Sequence, residues 1–501
     1  MPIILYRPIL ALIFALLVGF ASTASSVRAA EAKATAPRVL STSDPIIPLA
    51  CGSDANHQAW EQEATLAVNP RDPKNIVAAW IQDWSDGIVV SYSTDKGTSW
   101  DIVVPPTNRC TGGPPLFDGS AFDPRLAFGP TATSSVTYLS AVVSGNPSNG
   151  NASFAAVVDR STDGGRTWND RPPAVLDTAA GAPGTPLNPP TGYYIDGPSF
   201  IIADQVRPGR AYATWNKGDY AKTSRDQYLA FTLDGGSSWS APIQVTSGQY
   251  VLCGQLVILP DGTLVDVFSQ IDPRTPASGT TLMTTRSTNG GLTWSTPVAV
   301  DAKADQTHWT RVSAVLGPDG HTIHLAWVRA NSGGSSISVM STKSTNAGLT
   351  WQTPGVVATE PGVPEGDIIS APSLAVNNNG TIGIAFYDHR RDPLGTDPPR
   401  ATDLWFRYSQ NASGNWKEIH LAGPFDETTA PSPFSSDPYP AGVPGRVGGG
   451  FIGDFQGIAP TADGFVSAFT LAKPLAAPGT PNADGFYTNP TDIYFAKVTV
   501  P

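Results

Sequence analysis

The sequence predicts an all-β protein, a β-propeller of four-stranded antiparallel blades, with seven blades preferred and the six-bladed form as the alternative. Three observations predict it. An octapeptide with a tight turn and a closing tryptophan recurs as STDKGTSW (93–100), STDGGRTW (161–168), TLDGGSSW (232–239), STNGGLTW (287–294) and STNAGLTW (344–351), with a worn SQNASGNW at 409–416. Short apolar strand starts recur with it, roughly 55–80 residues apart, a blade-like repeat lengthened by insertions. The composition of 49 Gly, 47 Pro, 13 Trp and 15% charged residues suits short strands joined by frequent turns, and no long amphipathic helix is visible.

From the N-terminus, Arg7 precedes an apolar run from Ile9 to Phe20, then small residues and a V-x-A site ending at Ala29. Residues 1–29 therefore read as a signal peptide, too short for a membrane span, and 30–501 as a single propeller domain, secreted or periplasmic. Processing would remove Arg7 and Arg28 and no acid, taking the net charge from −11 to −13. So acidic a chain is a poor partner for nucleic acid, and no other stretch is apolar enough to span a bilayer.

The first unit shows the grammar of all: ATLAVNP, NIVAAWI and GIVVSYS are three strands, and the box TDKGTSW leads to a fourth at DIVV. Further inner strands start at PRLAFGP (124–130), PSFIIAD (198–204), GQLVILP (254–260), RVSAVLG (311–317), PSLAVNN (372–378) and DFQGIAP (454–460). The last unit has GFVSAFTL and DIYFAKV but no fourth strand, and the segment RVLSTSDPIIPL (38–49) is expected to supply it and close the ring. Closure follows from burial, because a blade exposes two apolar faces that only neighbouring blades can cover. Cys51 precedes the first unit and Cys110 follows it, so in an oxidising compartment a Cys51–Cys110 disulfide is favoured, leaving Cys253 over.

The S-x-D-x-G-x-T-W octapeptides resemble the Asp-boxes, or bacterial neuraminidase repeats, of the sialidase superfamily, and the resemblance spans almost the whole chain after residue 29. It implies a box on the hairpin between third and fourth strands, away from the catalytic face. The residue chemistry agrees with such a structural role. Asp accepts backbone N–H groups across its own turn, Gly permits positive φ, and Trp inserts between layers. Asp95, Asp163 and Asp234 fill the acceptor position, and Asn289 and Asn346 replace them in two copies, a swap that a general acid would not tolerate.

Chemistry is expected at the other end, where the inner strands begin near the channel: Glu63, Asp123 with Arg125, Asp196, Gln255, His308 with Arg311, Asp367 and Asp454. The loop FYDHRRD (386–392) adds Tyr387, Asp388 and Arg390. The resemblance implies a sialidase-type glycoside hydrolase, with three arginines on the sugar carboxylate, an Asp acid and a Tyr nucleophile assisted by a Glu. Carried onto this chain, Arg125, Arg311 and Arg390 are the forks, with His308 beside them. Asp123 or Asp83 is the acid, and Glu63 assists Tyr387 or Tyr250. The F/Y-R-I-P tetrapeptide found upstream of the first box in such enzymes does not occur here.

Two other readings use the same residues. A uronate polysaccharide lyase would employ His308, Arg311 and Tyr250 or Tyr194, and a non-catalytic propeller would bind glycans or proteins through exposed aromatics. The expected partner is a glycan or polysaccharide. No cofactor is required, although Asp83 with Asp86, Glu365 with Asp367, and Asp454 offer the hard oxygen donors that calcium takes. No G-x-S-x-G, H-E-x-x-H, P-loop or paired C-x-x-C motif is present.

Overall fold

Alternating apolar runs become antiparallel strands in the computed structural model, which is described over residues 31–46, 59–113, 119–131, 134–145, 153–168, 171–180, 193–219, 224–271, 280–305, 312–330, 336–361, 372–391, 401–410, 414–430, 451–480 and 487–501. The first sheet holds β3 (Gln62–Val68), β4 (Ile76–Gln82), β5 (Gly87–Ser93) and β6 (Asp101–Val103). The second holds β7 (Ala121–Pro130), β8 (Ser135–Gly145), β9 (Ser153–Ser161) and β10 (Ala174–Ala180). β11 (Tyr193–Ala203), β12 (Ala211–Asp219), β13 (Arg225–Thr232) and β14 (Ile243–Gln244) form the third. The fourth comprises β15 (Val251–Ile258), β16 (Leu264–Gln270), β17 (Thr280–Ser287) and β18 (Val298–Asp305), and the fifth β19 (Val312–Leu316), β20 (Ile323–Ala330), β21 (Ser336–Ser344) and β22 (Gly355–Pro361).

The remaining strands share one nine-stranded sheet: β23 (Ser373–Val376), β24 (Ile382–Asp388), β25 (Ala401–Ser409), β26 (Lys417–Asp426), β27 (Gly457–Thr461), β28 (Gly464–Pro474) and β29 (Thr491–Thr499), joined by β1 (Lys33–Ala34) and β2 (Arg38–Val39) from the N-terminal segment. The fold is thus a propeller of four-stranded antiparallel blades. Five blades stand as separate sheets, where the sequence pointed to seven or six. The cause of the difference is local. The end of β26 pairs with the end of β28, Phe425 opposite Pro474 and Asp426 opposite Lys473, which merges two sequence units into one sheet.

The first strands of the units touch in a cycle, β3 to β7, β7 to β11, β11 to β15, β15 to β19, β19 to β23, β23 to β27, and β27 back to β3. Between successive sheets the apolar faces interlock. Val77, Ile81 and Val90 of the first sheet pack with Phe128, Leu139 and Val157 of the second. At the closing seam Lys33 lies opposite Thr499 and Arg38 opposite Phe495, so the N-terminal segment sits on the last strand of the chain.

The octapeptides tie these layers together. In the second sheet Ser161 Oγ donates to Asp163 Oδ1 (2.7 Å), which also accepts the N–H groups of Arg166 (3.1 Å) and Thr167 (3.0 Å). Thr167 Oγ1 donates to Asp163 Oδ2 at 2.7 Å, and Trp168 Nε1 to the Gly165 carbonyl at 3.0 Å. Asp95 and Asp234 make the same set of bonds with Ser99 and Ser238. In two copies the polarity of one bond reverses, because the Asn289 and Asn346 amides donate to Thr293 and Thr350 Oγ1, each at 2.8 Å. The turn glycines lie directly on the preceding unit. A Cβ on Gly165 would meet Val77 at 2.7 Å, one on Gly348 would meet Val265 at 2.8 Å, and one on Gly97 would meet Phe495 at 2.5 Å.

Candidate functional site

Each inner strand of the first four sheets begins with a break in register: between Gln62 and Thr65, Phe122 and Arg125, Asp196 and Phe200, and Leu252 and Gln255. The extra residue of such a bulge redirects a side chain out of the pleat. Glu63 and Asp123 occupy these breaks with φ of 57° and 55°, a left-handed conformation that a non-glycine residue adopts at a cost. Asp454 follows Gly453, whose φ is 116°. The result is a cluster in which carboxylate oxygens of Glu63, Asp123 and Asp454, from three different units, lie within 4.8 Å of one another. Glu63 and Asp123 are buried, and the Asp454 N–H approaches Glu63 Oε1 at 3.4 Å.

Glycines give the cluster its room. A Cβ on Gly197 would stand 1.9 Å from Asp123 Oδ2, and one on Gly453 2.9 Å from the Glu63 side chain. Arg225, 2% exposed, donates from Nη2 to the Gly197 carbonyl at 3.0 Å. It was missed in the sequence because it begins a third strand, β13, rather than an inner one. Arg125 lies with its guanidinium carbon 3.3 Å from the centre of the Phe455 ring, a stacked arrangement that fixes its plane. A channel cavity of about 180 Å³ opens alongside, lined in part by Arg125, Gln255, Asp454, Phe455 and Gln456.

The other nominated residues are placed differently. Tyr387 is 3% exposed inside the blade core, edge-on to Phe425, and its hydroxyl donates to the Thr470 carbonyl at 2.7 Å while accepting the Thr470 N–H. Burial pushes this phenol far above its ordinary range, so it does not serve as the expected nucleophile beside Glu63. Arg390 is engaged too: its Nε donates to Asp388 at 2.5 Å, its Nη1 to Glu418 at 2.9 and 3.0 Å, and its plane covers Trp405. It acts as a blade clamp rather than a third fork. Asp83 is fully buried at the ring seam and is not among the residues lining the channel cavity. His308, Arg311, Asp367, Cys51 and the segment 1–29 lie outside the described residues.

Of the acidic groups that offer donors for calcium, Asp83 and Asp86 join no third ligand among the described residues. Among the described residues only Glu63, Asp123 and Asp454 have the spacing a cation would need. That spacing also suits acid–base work on a sugar. A carboxyl pair about 5 Å apart is the geometry of retaining glycosidases, and pairs about 6.5–9.5 Å apart that of inverting ones.

No family model matches the chain, and no curated protein matches it either. Solved structures with some likeness include a protein of unknown function from Dyadobacter fermentans, at 14% identity over 94% of this chain and 99% of that one, with a TM-score of 0.47. An alpha-L-arabinofuranosidase from Fusarium graminearum shares 14% identity over 72% of this chain and 96% of its own, TM-score 0.45. A leech intramolecular trans-sialidase shares 13% over 66% and 65%, TM-score 0.41. Likeness at this level assigns no residue a role.

Proposed function

We propose that the protein is a secreted, sialidase-like glycoside hydrolase that acts on a glycan at the channel mouth. The convergence of Glu63, Asp123 and Asp454 beside Arg125 carries this reading. With Tyr387 withdrawn into the core, this reading gives the reaction to carboxylates, with Tyr250, bridged to Arg225, as the other nucleophile candidate. Asp123 is the acid that protonates the leaving oxygen and Glu63 the group on the opposite side of the bond, their close spacing favouring retention. Arg125, held flat by Phe455, is oriented to take a sugar carboxylate, and Arg311 and His308 complete the substrate contacts in this reading. The merged nine-stranded sheet is counted as two blades, giving a ring of seven, which the cycle of seven inner strands supports. Export through residues 1–29 and a Cys51–Cys110 disulfide belong to the same reading.

The test is a release assay on sialosides and uronate polysaccharides with wild type, Asp123→Asn and Glu63→Gln. Wild type is expected to liberate a reducing sugar from an acidic glycan, and each variant to lose roughly a hundredfold or more of that rate. Release of an unsaturated uronate would establish the lyase instead. Glycan binding without turnover, unaffected by Asp123→Asn, would overturn the hydrolase.

A further inference from the structure

The ring seam carries a second carboxyl cluster that the proposed glycan site does not use. Asp44, in the N-terminal segment, accepts the N–H of Ile46 at Oδ1 (3.1 Å) and that of Ala59 at Oδ2 (3.3 Å). Asp83, at the end of β4, accepts the same Ala59 N–H at Oδ1 (2.7 Å). Two carboxylates from different parts of the chain thus converge on one backbone proton.

The surroundings favour a protonated carboxyl. Asp83 is 0% exposed, its φ is 54°, and its Oδ2 accepts from no donor among the described residues. Its remaining donor is Gln82 Nε2 (3.2 Å), which is shared with Glu61 Oε1 (2.9 Å) and oriented by Trp80 Nε1 on Gln82 Oε1 (2.8 Å). Glu61, pushed well above the ordinary carboxylate range by burial, and Asp492 of β29, also raised by burial, flank the pair, Asp86 shares the turn, and among the described residues Lys473 of β28 acts on Asp492. A buried carboxyl beside a half-buried one is stable when it is protonated and donates to its neighbour.

We propose that Asp83 holds a proton and donates it to the Asp44 carboxylate, and that this bond fastens the N-terminal segment to the first sheet as a pH-sensitive latch on ring closure. Burial first, and then the charge of Asp44, pushes Asp83 up from 3.8 to about 7. For an acid raised in the folded state, the stabilisation is complete below the unfolded value near 3.8 and is lost as pH rises from there through about 7. Because β1 and β2 of the same segment pair with β29, loss of the proton loosens the strands that join the chain ends.

Hydrogen exchange of residues 31–46 in the full-length protein, corrected for intrinsic rates, tests the latch without any substrate. Protection is expected to fall between pH 5 and pH 8, by at most about tenfold per pH unit for one proton. In Asp83→Asn the amide can donate permanently to Asp44, and Asn tolerates a positive φ, so protection at pH 8 should match that of wild type at pH 5. Asp44→Asn, with donor and acceptor reversed, should do the same and serves if Asp83→Asn folds poorly. A flat wild-type profile, or variants that follow the wild-type fall, would overturn the proposal. So would recovery of wild-type protection at pH 8 on adding calcium ions, which would make the cluster a cation site.

Discussion

Asp163 binds two backbone N–H groups and two hydroxyls while standing on the outer turn of its blade. Its role is to hold the turn that seats Gly165 on Val77. Asp163→Asn should therefore be nearly neutral, because Asn289 and Asn346 already make the corresponding bonds. Asp163→Ala should cost about 1 kcal/mol by thermal or denaturant unfolding, the scale of losing a capping acceptor. At Asp234 burial raises the carboxyl, but bonds from Ser238 and Thr232 outweigh it and bring it to about 2. A depressed acid stabilises above its unfolded value and ceases to do so as pH falls through its folded one. Asp234→Asn should accordingly flatten the loss of melting temperature between pH 4 and pH 2. These residues were legible from sequence because their partners lie within four positions in the chain.

At the scale of the element, the decisive feature is the bulge that starts an inner strand. It places Glu63 and Asp123 at positive φ, and Gly197 leaves the space that the Asp123 carboxylate fills. Gly197→Ala should leave the melting temperature within a few degrees while reducing glycan turnover as severely as Asp123→Asn. A variant with full activity would remove Asp123 from the mechanism. Sequence located Glu63, Asp123 and Arg125 at the starts of inner strands and Asp454 three residues ahead of β27, since the period of the repeat marks those positions. It misplaced Tyr387 and Arg390 because a strand end looks polar whether its side chains face the channel or a neighbouring strand. Tyr387 turns to Thr470 and Arg390 to Glu418, contacts 83 and 28 residues away that no local pattern encodes.

For the whole molecule, the all-β architecture was readable because five units repeat the same turn, whereas the number of separate sheets was not. Merging depends on two residue pairs, Phe425–Pro474 and Asp426–Lys473, where strands outrun their blades. The closing segment was anticipated from the missing strand of the last unit, and its consequence is cooperative. Removing residues 31–46 exposes the edge of β29 and the apolar face around Phe495, which Leu40 and Ile46 help to cover. The truncated protein should melt well below the full-length one and should aggregate on heating, as light scattering would report.

The pairing of Lys33 with Thr499 brings the start of the described chain beside its last strand. A short peptide suture from 501 to 31, with a new opening in the exposed turn at 70–74, would yield a permuted chain that traces the same circle. In that permutant the first sheet, not the last, would be assembled from both ends. Its folding would show that the circle, and not the direction in which it is traversed, is what the repeats encode.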